Sequence, residues 1–212
     1  MRIKSGSTIT VAGPSQSGKS TLVERIVTAR NEIFDVPPTN IFWYCAYKPT
    51  KCIEGVNYIV GVPNDISDRI HPNCLVIIDD FMHEMSNSHD LTALIIRAVH
   101  HLPMTLIYIT QNMFQKSKDT KTRRMNTNYL ILFRNLQDRS QIEYLGRQMY
   151  PKDKYFLSSA FEDATRKPYS YLMIDSHQTT PDEVRVRTNI ANDGVMTTYV
   201  PYSINSVTSE IN

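Results

Sequence analysis

Gly13-Pro14-Ser15-Gln16-Ser17-Gly18-Lys19-Ser20 separates the apolar run Ile9–Ala12 from a stretch whose apolar residues recur at helical spacing. Two glycines, a lysine and a serine spaced in this way between a strand and a helix make a phosphate-binding P-loop. The chemistry requires these residue types. Successive backbone amides must converge on phosphate oxygens, and Gly13 and Gly18 permit this by taking conformations that a side chain would block. Lys19 is expected to reach the β- and γ-phosphates of ATP, and Ser20 to ligate Mg²⁺. Pro14, Ser15, Gln16, Ser17 and Thr21 complete the cradle, and the opening helix adds its dipole and unbonded amides.

Outward from this loop, Thr8–Ala12 reads as the first strand and Lys19–Asn31 as the first helix, with Leu22, Val23, Ile26 and Val27 on its buried face. Asn40–Tyr47 reads as a strand whose tryptophan, Trp43, belongs in the core. Further strands are expected at Asn57–Val62, Cys74–Ile78, Met104–Thr110 and Tyr129–Phe133, and helices at His89–His101, Arg139–Met149 and Tyr155–Ala164. Tyr169–Asp175 and Glu183–Thr188 form a late strand pair. Alternation of strands and helices implies an α/β fold with a mostly parallel central sheet flanked by helices. Ligands of such sheets sit beyond the carboxyl ends of the strands, so polar residues directly after an apolar strand are the site candidates.

Two strand ends supply them. Leu75-Val76-Ile77-Ile78-Asp79-Asp80 is an apolar strand ending in acids, the Walker B form. Asp79 is assigned to Mg²⁺, directly or through water, together with Ser20; Asp80 is assigned to the water that attacks the γ-phosphate. Thr110-Gln111-Asn112 ends the Met104 strand, and a neutral amide there can bond both γ-phosphate and attacking water; Gln111 is preferred over Asn112.

Composition limits the remaining choices. At 212 residues, 41% apolar and 21% charged, the chain suits one soluble domain, expected over 1–191, followed by a flexible or partner-docking tail over 192–212. Net charge is +2, so contact with nucleic acid must come from local clustering. Lys116, Lys118, Lys121, Arg123 and Arg124 place five positive charges in nine residues, a segment suited either to DNA phosphates or to a solvated helix face. The three cysteines form no CxxC pair, which argues against zinc and fits a reducing compartment. With no signal-peptide pattern and no bilayer-length apolar run, the expectation is an intracellular protein without membrane contact.

The chain resembles the DNA-packaging ATPases of the FtsK/HerA superfamily, in the branch of poxvirus-like large DNA viruses and the Maverick/Polinton type. The likeness rests on the P-loop, Asp79-Asp80 and Thr110-Gln111-Asn112. It continues through Phe133-Arg134-Asn135, Asp138-Arg139-Ser140-Gln141-Ile142, Asp163-Ala164-Thr165, Tyr171-Leu172-Met173-Ile174-Asp175 and Thr180-Pro181-Asp182. It covers Thr8 to Ile190. The resemblance implies an ASCE-type, RecA-like P-loop NTPase core in which the Met104 strand lies between the P-loop and Walker B strands. It also implies a homo-oligomeric ring, pentamer or hexamer, with ATP at subunit interfaces and double-stranded DNA, bound without sequence preference, in the pore. Where the superfamily usually has Glu after the metal-binding acid, this chain has the shorter Asp80.

Such a ring needs an arginine supplied by a neighbouring subunit to stabilise charge on the transferring phosphoryl group. Arg134, at a strand end, is the first candidate, followed by Arg139, Arg123 and Arg124. The implied activity is ATP-driven translocation of viral DNA into a preformed capsid in an infected cell, with the capsid vertex as partner and no DNA cleavage. Two alternatives stand beside it: another P-loop NTPase such as a helicase or small nucleotide kinase, and a nucleotide-gated assembly factor that does no mechanical work.

Overall fold

The computed structural model describes residues 2–61, 71–79, 104–111, 121–122, 125–136, 140–191 and 195–201. The helix expected over His89–His101 lies outside the described residues, as do Asp80, Asn112, Lys116, Lys118, Arg123, Arg124, Asp138 and Arg139.

Among the described residues nine strands form one sheet. They are β1 (Thr8–Ala12), β2 (Asn40–Cys45), β3 (Val56–Val60), β4 (Cys74–Asp79), β5 (Met104–Thr110), β6 (Tyr129–Phe133), β7 (Tyr171–Asp175), β8 (Val186–Thr188) and β9 (Thr197–Tyr199). Their spatial order is β3-β2-β4-β5-β1-β6-β7-β8-β9. Pairing is parallel from β3 through β6 and antiparallel from there to β9. β5 therefore lies between β1, which leads into the Gly13–Ser20 loop, and β4, which ends in Asp79, the strand order that the resemblance implies. β9 carries no strand expectation from the sequence: Thr197–Tyr199, inside the stretch expected to be a flexible or partner-docking tail, pairs with β8. Its polar Thr-Thr-Tyr composition suits a half-exposed edge and gives no apolar strand signal.

Helix α1 (Lys19–Thr28) buries Leu22, Val23, Ile26 and Val27 against alternate residues of the sheet, including Ile9, Val11, Ile131 and Phe133. The short α2 (Arg30–Ile33) follows it, where the sequence suggested one continuous helix. Helices α3 (Ser140–Met149) and α4 (Phe156–Ala164) cover the other face, where Ile142, Leu145, Leu157 and Ala160 meet Leu130, Leu132, Leu172 and Ile174. The side chains of β1, β4, β5 and β6 are buried on both faces of the sheet almost throughout, which is why those strands read as unbroken apolar runs. Each aliphatic side chain buried beneath α1 contributes roughly 1.5–3 kcal/mol by transfer, so the helix is anchored firmly and its N-terminus has a fixed position. Trp43 is 3% exposed and stacks on Tyr58 with ring centroids 5.7 Å apart, a core role as expected. Among the described residues no helix is long and apolar enough to cross a membrane.

Candidate functional site

The candidate site lies at the carboxyl edge of β1, where residues 13–18 lead into α1. Two contacts explain the glycines. A β-carbon on Gly13 would stand 2.6 Å from Phe133 Cβ, because β6 packs directly beside the loop. Gly18 caps α1 with φ 99°, a left-handed conformation that side chains disfavour. No side chain caps the helix and its first turn holds no acid, so its leading amides can donate to an anion. Ser17 Oγ is buried and has no hydrogen-bond partner among the described residues; a phosphate oxygen would satisfy it.

Lys19 is 7% exposed and folds back along the loop, its Nζ donating to Gly13 O at 2.8 Å and Pro14 O at 2.9 Å. Ser20 Oγ lies 3.2 Å from Asp79 Oδ2 and 3.5 Å from Oδ1. Adjacent ligands of an octahedral Mg²⁺ with 2.0–2.1 Å bonds are about 3 Å apart, so this hydroxyl and carboxylate suit a hard divalent cation in spacing and in chemistry. Gly13 N–H donates to Thr110 O at 3.2 Å, tying the loop to the end of β5, and Gln111 is the next residue. Arg134 is exposed just beyond β6; Leu132 pairs with Ala12, so Arg134 stands at the edge of the chain's own loop.

The strand order divides the site. Asp79 ends β4 and Gln111 follows β5 on one flank of the P-loop, whereas Arg134 follows β6 and the Tyr169–Tyr171 segment leads into β7 on the other. On that second flank a cavity of about 470 Å³ runs along α1, lined by Gln16, Gly18, Lys19, Ser20 and Thr21 together with Leu22, Arg25, Tyr169 and Tyr171. Tyr171 is 1% exposed, its hydroxyl accepts from Ile190 N–H at 2.9 Å and Ala191 N–H at 3.3 Å, and burial pushes its pKa up to about 12. The sequence reading assigned no role to Phe133, Tyr169, Tyr171 or Arg25. The available signal was Pro168-Tyr169, an aromatic residue in a proline turn immediately before a strand.

At the opposite edge, Ser7 Oγ lies 3.2 Å from His177 Nε2, and His177 Nδ1 lies 2.8 Å from Asp175 Oδ1. This has the order of a hydrolytic triad, but Ser7 is 3% exposed and Asp175 also accepts from Thr180 Oγ1 at 3.0 Å and Arg187 Nη2 at 3.3 Å. The cluster fastens the β7–β8 turn to the start of β1. Asp175 and Thr180, which carry part of the family resemblance, bond within this turn, and Asp182 pairs with Arg185 at 2.9 Å.

No protein-family model and no curated protein sequence matches the chain. Solved structures do share its fold. The DNA-packaging ATPase B204 of Sulfolobus turreted icosahedral virus aligns over 92% of this chain and 98% of its own, with TM-score 0.52 and 16% identity. The genome packaging NTPase B204 of Sulfolobus turreted icosahedral virus 2 in complex with AMPPCP aligns over 92% and 97%, with TM-score 0.53 and 15% identity. The same protein in complex with AMP aligns over 82% and 94%, with TM-score 0.50 and 18% identity. At these identities the likeness establishes the fold: this chain is a P-loop NTPase fold with a mostly parallel sheet flanked by helices.

Proposed function

We propose that this chain is an ATP-hydrolysing motor of the FtsK/HerA type that packages viral double-stranded DNA into a preformed capsid. The observation that supports the hydrolytic part is the approach of Ser20 Oγ to Asp79 Oδ2 at 3.2 Å, which brings the start of α1 and the end of β4 to a spacing that suits two ligands of one divalent cation. The fold shared with viral packaging NTPases supports the choice of packaging over other P-loop activities.

In this reading the backbone amides that follow Pro14 in the loop and open α1, together with Lys19, hold the triphosphate, and Ser20 and Asp79 would hold Mg²⁺. When bound, that ion neutralises charge on the phosphate oxygens. Gln111, at the end of the strand between β1 and β4, orients the attacking water, and Asp80 accepts its proton. Arg134 is the cation supplied across a subunit interface of a homo-oligomeric ring. The basic 116–124 segment, of which Lys121 is described and exposed, contacts DNA phosphates in the pore.

The test is phosphate release by the purified chain with and without duplex DNA, alongside mass measurement of the assembly. A motor is expected to form a ring and to hydrolyse ATP faster with DNA. Asp80→Asn separates this from a nucleotide-gated assembly factor: it is expected to bind ATP yet fill no capsids, and filled capsids would defeat the motor reading.

A further inference from the structure

We propose that Tyr169 is the stacking platform for the nucleobase, so that the cavity along α1 takes the nucleoside end of the nucleotide whose phosphates the P-loop holds. The inference rests on reading the P-loop as a nucleotide site, and it concerns the flank opposite Asp79 and Gln111.

Four observations converge. First, Tyr169 has φ 64°, a left-handed backbone that a bulky residue adopts only when its surroundings impose it. Pro168 precedes it and Ser170 N–H donates to Lys167 O at 3.3 Å, so it occupies the turn position where positive φ normally selects glycine. Second, Tyr169 as a residue is 74% exposed, so burial in the core does not account for an aromatic residue at this position. Third, Tyr169 Cδ1 lies 3.2 Å from where a β-carbon of Gly18 would stand, which places the ring against the phosphate loop. Fourth, the cavity reaches from Gly18 to Arg25, about 10 Å of helix at 1.5 Å per residue, comparable to the length of a nucleotide. A planar heteroaromatic base on the exposed face of this ring gains stacking without needing base-edge hydrogen bonds, so purines are expected to bind with little discrimination between adenine and guanine.

The experiment measures Mg²⁺-dependent binding of ATP and of inorganic tripolyphosphate to the full chain and to Tyr169→Ala, Tyr169→Phe and Tyr169→Gly. Tyr169→Ala is expected to weaken ATP roughly 5- to 100-fold, the range of base–aromatic stacking, and to leave tripolyphosphate binding unchanged. Tyr169→Phe keeps the ring and is expected to restore ATP affinity. Tyr169→Gly relieves the left-handed backbone and is expected to melt no lower than wild type while losing ATP affinity as Tyr169→Ala does, which separates lost stacking from lost folding. Unchanged ATP affinity in Tyr169→Ala, or equal loss of ATP and tripolyphosphate, would overturn the assignment. A wild-type chain that binds neither ligand would instead defeat the P-loop reading beneath it.

Discussion

Phe133 packs so closely on Gly13 that a β-carbon added to the glycine would meet Phe133 Cβ at 2.6 Å, and the same ring reaches to 3.7 Å of the corresponding point on Gly18. One aromatic side chain at the end of β6 thus braces both glycines of the phosphate loop. Gly13→Ala must push β6 from β1 or distort the loop. Overpacking of this kind costs about 1–3 kcal/mol, which in a chain of this size lowers the melting temperature by roughly 2–12 °C. ATP binding is expected to fall with it. An unchanged melting temperature would show that the two strands can part without cost.

Ser20 and Asp79 come from different elements and share one proposed ion, so their effects should not add. Ser20→Ala and Asp79→Asn are each expected to cut Mg²⁺-dependent hydrolysis by about 10²-fold or more, with the double variant little worse than either single one. Steady-state phosphate release across a Mg²⁺ titration checks this. Multiplying losses would mean that the two residues serve separate functions.

Much of this was legible in the sequence because the relevant signals are local. Gly13 to Ser20 is one contiguous word, and β4 and β5 declare themselves as apolar runs ending in Asp79 and Gln111 because the sheet is covered on both faces. Three kinds of feature were hidden. Phe133 and Tyr171 look like ordinary strand residues, and only the antiparallel β6–β7 pairing, which sets them opposite one another, brings them to the loop. Tyr169 carries a left-handed φ that nothing in its residue type announces. β9 is polar and half exposed, held by its register with β8, where Val186 meets Tyr199 and Thr188 meets Thr197. The acids of the later motifs were legible as motif members, yet their work in fastening a turn depends on Ser7 and Arg187, distant in sequence.

Asp175 is 0% exposed and paired with Arg187, which is 1% exposed. Removing one member of such a pair leaves the other charge buried, so Asp175→Ala is expected to destabilise the fold by about 3–5 kcal/mol, read as a shift of the denaturation midpoint. The site lies at the opposite edge of the sheet, so ATP affinity of the remaining folded fraction should be unchanged. A loss below about 1 kcal/mol would mean that water reaches the cluster.

Burial holds the phenols of Tyr129, Tyr150 and Tyr171 up to about 12. In the unfolded chain each ionises near pH 10. The raised folded value means that the stabilising contribution is fully present below about pH 10 and is lost as pH rises toward 12. Denaturant midpoints should therefore fall across that window, with tyrosinate absorbance rising in step with unfolding. Tyr171→Phe should flatten the fall, although it also removes the acceptor of the Ile190 and Ala191 amides.

Arg134 follows β6 at the edge of the chain's own loop and is exposed, so it must be asked whose phosphate it serves. An arginine that stabilises the transferring phosphoryl group is worth about 10³-fold or more in turnover, and Arg134→Ala is expected to lose that much while still binding ATP. Mixing decides the direction. Lys19→Ala subunits lack a working loop but keep Arg134, and Arg134→Ala subunits have the reverse defect. If the chain forms the proposed ring, mixtures of equal amounts leave roughly a quarter of interfaces pairing an intact loop with an intact arginine when the arginine crosses to its neighbour, and hydrolysis should return to about that fraction. If Arg134 serves its own loop, every site lacks one component and no mixture recovers activity. Hydrolysis that stays flat at all mixing ratios, in rings shown by mass to contain both variants, would therefore move the arginine from the interface to its own site.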